Sequence, residues 1–174
     1  FATECLRAIR DVVGSAMTVG IRLNIREEVP EGYGVADGIE LAQYLESTGL
    51  IDYVHGVVGS PWGNPSYIQP TYYDPAQFAD LAGQLRAAVS LPVVHTGRIN
   101  HPDVAEQVRA RFGIPFVYTA HSLAIEKAAS GVVSADLAAR IGEEDRAIAA
   151  ADAIIASSRD EAERQLMLYP GACA

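Results

Sequence analysis

Cysteine is almost missing from this chain. Of its 174 residues only Cys5 and Cys173 carry a thiol, at opposite ends and without metal-ligand spacing, which argues against a disulfide framework and against a zinc or iron–sulfur site. Positive charge is scarce as well: 13 Lys and Arg stand against 22 Asp and Glu, for a formal net charge of −9. No Lys/Arg cluster interrupts that balance, and phosphate neutralisation needs concentrated positive charge, so neither nucleic acid nor an anionic membrane is an expected partner. There is no unbroken apolar run of about 18 residues, and no basic start followed by an apolar stretch and a small-residue cleavage site. A soluble, cytoplasmic chain with reduced thiols is the expectation. A Gly-x-Ser-x-Gly elbow is also lacking, which leaves nucleophilic hydrolysis without a motif. Length is the last shortage: the chain suits one domain, or a small domain with an appendage, whereas a full eight-stranded α/β barrel takes roughly 250 residues. It opens on Phe1 and stops soon after Tyr169-Pro170-Gly171, so flanking sequence is expected to be missing.

What is present is a rhythm of short apolar runs and helical patterns, the arrangement of repeated βα units in a parallel sheet. Five strands are predicted, over Thr18–Leu23, Tyr53–Val58, Pro92–His95, Pro115–Thr119 and Ala153–Ala156. Each is rich in Val, Ile or Tyr, as doubly buried parallel strands are. Asp37 with Glu40 marks one helix start, with Leu41, Tyr44, Leu45 and Thr48 at helical spacing and Gly49 as the stop. Asp74-Pro75 opens the next, whose apolar face is Phe78, Leu81, Leu85 and Val89. Asn100 or His101 before Pro102 starts a third, and Ser158 with Glu161 a fourth. The fold class is therefore α/β, with a mostly parallel sheet of about five strands. No internal repeat is visible.

In open parallel sheets, ligands bind beyond the carboxyl ends of the strands. Two such positions are unusually polar here. Arg22 lies inside the apolar run Val19-Gly-Ile-Arg-Leu23, where a guanidinium is costly unless an anion, a carbonyl-rich partner or an acid meets it. His95-Thr96-Gly97-Arg98 precedes a helix and offers glycine amides and a fixed charge to a phosphate. His55, His95 and His121 each end a strand but have no carboxylates in matching motifs, so packed histidines are expected and no metal. Gly32-Tyr-Gly34 lacks dinucleotide spacing and sits among Glu27, Glu28 and Glu31, which reads as a flexible loop. Trp62, Tyr67, Tyr72 and Tyr73 either cap a ligand pocket or cover a core edge. Glu143, Glu144 and Asp145 read as a solvated helix face.

Three runs carry a family resemblance: Thr18-Val-Gly-Ile-Arg-Leu23, Ile51-Asp-Tyr-Val-His-Gly-Val-Val-Gly-Ser-Pro-Trp-Gly63 and Leu91-Pro-Val-Val-His-Thr-Gly-Arg-Ile-Asn100. Residues 1 to about 108 resemble the second half of the old yellow enzyme family, which includes the 2,4-dienoyl-CoA reductases, in wording closest to the mycofactocin-associated members. The resemblance implies an FMN-binding (β/α) barrel that passes hydride from NAD(P)H to flavin and on to an activated alkene. By position Arg22 would face the flavin pyrimidine, while Gly97 and Arg98 would hold the FMN phosphate. The earlier strands that complete the family's cofactor cradle and supply its substrate-facing His or Tyr would precede Phe1, so weak or no flavin retention is expected and the catalytic residues are unassigned. The iron–sulfur cysteine cluster of the dienoyl-CoA branch is absent.

From about residue 112 the wording changes. Gly113-Ile-Pro-Phe-Val-Tyr-Thr-Ala-His-Ser-Leu123, Lys127, Arg140-Ile141 with Glu143 and Glu144, and Ala151 to Tyr169 resemble sucrose-phosphate-synthase-like glycosyltransferases. The resemblance implies the acceptor-side, Rossmann-like domain of a two-domain (GT-B) enzyme. By position His121 would sit at the sugar cleft, and Lys127 and Arg140 would contact a polar or phosphorylated acceptor. The chain thus looks like a chimera or fusion of a barrel segment, residues 1–108, with a Rossmann-like tail, residues 109–174, packed as one domain. Three functions follow as expectations: an FMN-dependent oxidoreductase fragment of low or no activity, a glycosyltransferase acceptor domain, and a non-catalytic scaffold. A small-molecule ligand is expected in the first two. Open strand edges also predict self-association.

Overall fold

The computed structural model describes residues 1–119, 123–131 and 134–169. All five predicted strands form, but in two parallel sheets instead of one. The chain divides into two compact units, residues 1–98 and 99–174.

The first unit runs α1 (Ala2–Val13), β1 (Gly20–Asn24), α2 (Val35–Ser47), β2 (Tyr53–Val57), α3 (Ala79–Ala88) and β3 (Val93–His95). Its sheet has the order β1-β2-β3, with Arg22 opposite His55 and His55 opposite Val94. Strand side chains alternate between faces, and here the alternation separates two environments. Val54, Gly56 and Val58 are buried, together with Ile25, Ala42, Leu45, Leu81 and Leu85 from neighbouring elements. Ile25, Leu85 and Val54 are the largest fully buried side chains, each contributing roughly 1.5–3 kcal/mol by leaving water. Arg22 and Val94, which share the other face, are exposed.

Local chemistry sets the helix starts. In α2 the Asp37 carboxylate accepts the Gly34 amide at 2.8 Å, so the helix begins two residues ahead of Asp37. Gly38 lies against β1: a Cβ there would come within 2.3 Å of the Ile25 carbonyl oxygen. Helix α3 starts at Ala79, later than Asp74-Pro75 suggests, because Ala76 is left-handed (φ 51°) and its amide is taken by the Arg98 carbonyl. The predicted apolar face survives, with Phe78, Leu81 and Leu85 all buried.

The second unit runs α4 (Pro102–Phe112), β4 (Val117–Tyr118), α5 (Ala124–Ala129), α6 (Ala135–Ala150), β5 (Ala153–Ile154) and α7 (Arg159–Leu168). β4 and β5 pair in parallel. His101 caps α4, its Nδ1 accepting the Asp103 amide, and the Ser158 hydroxyl caps α7 by accepting the Glu161 amide. Leu123, Ile148 and Tyr169 form the core. The acidic run on α6 is not uniformly solvated. Glu144 is 5% exposed, its Oε2 accepting the Ala124 amide at 2.7 Å and its Oε1 meeting Arg140 Nε at 2.9 Å. A carboxylate seated this way satisfies an amide that would otherwise be buried unpaired at the start of α5.

Candidate functional site

A cleft of about 350 Å³ opens at the carboxyl ends of the first unit's strands. β1 contributes Arg22 and Asn24, the turn after β2 contributes Gly59, and the turn after β3 contributes Thr96 and Gly97. The long connection from β2 to α3 closes it with Pro61, Tyr67, Gln69 and Phe78. Gly59 makes the sharp departure from β2 feasible: its φ is 96°, and a Cβ would stand 2.9 Å from the Tyr67 amide nitrogen. Asn24 Nδ2 donates to the Gly59 carbonyl at 2.8 Å, tying that turn to β1.

Arg22 is exposed and has no hydrogen bond or ion pair among the described residues. An acid partner, one of the explanations open from sequence, is therefore not what holds it. Its charge is felt by His55. The pKa of His55 is lowered, first by burial and then by Arg22 and His95, and its Nε2 lies 2.9 Å from the Thr96 hydroxyl. Burial also lowers His95, against the opposing effect of its contact with the Gly56 carbonyl. Both shifts favour the neutral imidazole, and Arg22 is the cation of the cleft lining.

Arg22 and Gly97 share this lining, while the Arg98 guanidinium is directed elsewhere. It donates to the carbonyls of Pro70 and Thr71 at 2.8 and 2.7 Å. Arg98 thus latches the β2–α3 connection, and its backbone, with φ of 49° following Gly97 at 148°, shapes the turn. Of the aromatic residues in that connection, Tyr67 lines the cleft, whereas Trp62 is 89% exposed and Tyr72 meets Tyr73 in a tilted pair with ring centroids 4.7 Å apart.

A larger hollow of about 460 Å³ lies beside Arg26, Glu27, Glu28 and Tyr33. It is a poorer anion site, because Arg26 is paired with Glu28 and Glu27 adds negative charge. The surrounding Gly-Tyr-Gly turn is packed: a Cβ on Gly32 would meet Glu27 Cβ at 2.6 Å, and the Tyr33 hydroxyl donates to the Asn24 carbonyl. The loop expected there is a loop, held by these contacts.

In the second unit, Arg140 is paired with the buried Glu144 and Lys127 is exposed on α5. His121 lies outside the described residues. Among the described residues no three His, Cys, Asp or Glu side chains gather as a metal site, and no helix is long and apolar enough to cross a membrane.

Sequence reasoning missed Asn24, Gln69 and the His55–Thr96 contact. Asn24 could have been found, since it follows Arg22 by two residues and therefore shares its face of β1. Gln69 had no local signal.

Comparison with known proteins bears on the same chemistry. The chain is 34% identical over 108 residues to a probable N-methylproline demethylase of Rhizobium meliloti, and 35% identical over 109 residues to an N,N-dimethylglycine/sarcosine dehydrogenase of Chromohalobacter salexigens. Each match covers 60% of this chain and 16% of the relative. Among solved structures, a 2-naphthoyl-CoA reductase in complex with 2-naphthoyl-CoA superposes with a TM-score of 0.56 at 29% identity, over 62% of this chain and 16% of that one. The likeness is partial, and it is to oxidoreductases of the old yellow enzyme family. The chain spans about one sixth of the length of the curated relatives it matches. No family model matches. The glycosyltransferase resemblance of the C-terminal part and the joining of two parent enzymes receive no support.

Proposed function

We propose that the first unit is a flavin-binding segment of an oxidoreductase of the old yellow enzyme type, with FMN held in the cleft at the strand ends. The observation that carries this reading is Arg22: an unpaired guanidinium on an apolar strand, lining a cleft shared with Gly97. Its charge suits the electron-rich pyrimidine end of a reduced flavin. Gly97 and Arg98 supply backbone amides to the phosphate. The space over Gly97 is open, since a Cβ there would meet only the His95 ring, at 3.7 Å or beyond. Bound there, FMN would supply a two-electron carrier between a nicotinamide donor and an activated alkene, as the family resemblance implies. The chain's own residues bind and orient it, with His55 paired beside Arg22 and Thr96 in the same lining.

The matched segment is about one sixth of its relatives' length, so the cleft supplies part of a cofactor cradle and affinity is expected to be low. Titration of the purified protein with FMN, followed by flavin fluorescence and by the visible spectrum, tests the reading. Saturable binding that weakens about tenfold or more in Arg22→Ala supports it, in line with the worth of a charge-assisted hydrogen bond. A colourless protein that ignores FMN up to millimolar concentration overturns it and leaves a non-catalytic scaffold.

A further inference from the structure

The connection from β2 to α3 is built inside out. From Gly59 to Tyr73 it has no charged side chain, yet its large apolar members Trp62, Ile68 and Tyr72 are exposed. Polar groups are buried in their place. Nε2 and Oε1 of Gln69 are enclosed beside the cleft without a hydrogen-bond partner, and Ser60 Oγ and Gln77 Nε2, near the two ends of the connection, are buried unpaired as well. Such groups are costly away from water, and the aromatic side chains gain nothing by standing in it.

The cleft beneath offers room for another arrangement. Its volume is about 350 Å³, and Val57, Val58, Pro61 and Phe78 give it apolar wall suited to an aromatic ring. Internal bonds join the connection into one body: the Tyr73 hydroxyl donates to Asn64 Oδ1 at 2.7 Å, and the Tyr67 amide to the Ser60 carbonyl at 3.3 Å. Gly59 and Ala76, both at positive φ, stand at its ends. Two ties hold its middle in place. The Glu28 carbonyl accepts the Asn64 amide, and the Arg98 guanidinium donates to the Pro70 and Thr71 carbonyls at 2.8 and 2.7 Å. The second tie is the stronger, because its donor is charged.

We infer that this connection has a second position, turned inward with its aromatic side chains filling the cleft and Gln69 in water, and that the Arg98 latch holds the cleft open against it. Release of the latch blocks the cleft from within, whatever molecule the cleft takes. The inference therefore stands apart from the flavin reading.

Trp62 is the one tryptophan of the chain, so its fluorescence reports the connection directly. In the native chain acrylamide quenches it freely. In Arg98→Met the quenching constant falls about twofold as the turned-in position fills, and the emission moves to shorter wavelength. Adding Gln69→Leu restores the quenching, since leucine rests in the latched position without an unpaired amide. Equal quenching in the native chain and Arg98→Met overturns the inference, because a merely loosened loop leaves Trp62 in water. A double variant as shielded as Arg98→Met also overturns it. Hydrogen exchange tests the same device with Arg98 in place: amides of residues 66–73 exchange about tenfold more slowly in Gln69→Leu than in the native chain, while Val54 in β2 is unchanged. Exchange in that segment that is equal or faster in Gln69→Leu overturns the inference.

Discussion

Asp52 and Asp152 hold the same station in the two units. Asp52 accepts from Arg10 at 2.8 Å and from the Val19 amide at 2.7 Å, and its own amide donates to the Val19 carbonyl. Asp152 accepts from Arg109 at 3.1 Å and from the Phe116 amide at 2.7 Å, and its amide donates to the Phe116 carbonyl. Each arginine comes from the helix ahead of the first strand, and each also donates to the carbonyl two residues before the aspartate, Leu50 or Ala150. One carboxylate therefore seats a parallel strand beside its predecessor and anchors the preceding helix. Four positions suffice for the device, two of them through backbone groups alone, which is why no repeat shows in the sequence.

Acid should undo the first of these seats. The Asp52 pKa is lowered, chiefly by the Arg10 hydrogen bond and then by the Val19 amide. A carboxyl depressed in the folded state contributes stability that is complete above its unfolded value, 3.8, and is lost as pH falls through the folded value. Thermal melts of the native chain should lose stability below about pH 4, and Asp52→Asn should melt lower at neutral pH with a shallower acid limb. An unchanged acid limb in the variant would show that Asp52 is not linked to folding.

Gly38 offers a test in which helix propensity and packing oppose each other. Alanine is favoured over glycine within a helix by about 1 kcal/mol, but at this position the new Cβ would meet the Ile25 backbone, which cannot swing aside. Gly38→Ala is expected to destabilise the first unit by about 1–3 kcal/mol. Leu85→Ala, at a fully buried position, should cost about 2–5 kcal/mol. Urea unfolding measures both, and a stabilised Gly38→Ala would refute the close approach of α2 to β1.

The adjacency of Arg22 and His55 is accessible to NMR. Because burial is the larger cause of the lowered His55 pKa and Arg22 the next, Arg22→Gln should raise the His55 titration midpoint while leaving it below 6.5, the ordinary value. A His depressed in the folded state loses stability as pH falls below its unfolded pKa, and that loss should be smaller in the variant. A His55 midpoint indifferent to Arg22 would separate the two side chains.

Arg98 should matter to the loop more than to the sheet. Removing its donations to Pro70 and Thr71 in Arg98→Met should release the β2–α3 connection by about 1–3 kcal/mol of local opening energy. Limited proteolysis should then cut within residues 60–76 several-fold faster, with global unfolding little changed. Equal cleavage in both proteins would show that the latch is idle.

The sequence by itself determined the α/β class, all five strands, the cap Ser158 and the apolar face of α3, and it narrowed the cap of α4 to Asn100 or His101. These rest on side-chain periodicity and on hydrogen bonds between near neighbours, both of which are written locally. It also placed Arg22 and Gly97 at corresponding strand ends. Only the tertiary structure decided that the strands form two sheets, because strand pairing depends on contacts between distant segments, and that Arg98 turns to loop carbonyls. It alone buried Glu144 beneath the start of α5 and brought Gln69 to the cleft, since a group's burial is set by what the rest of the chain places above it.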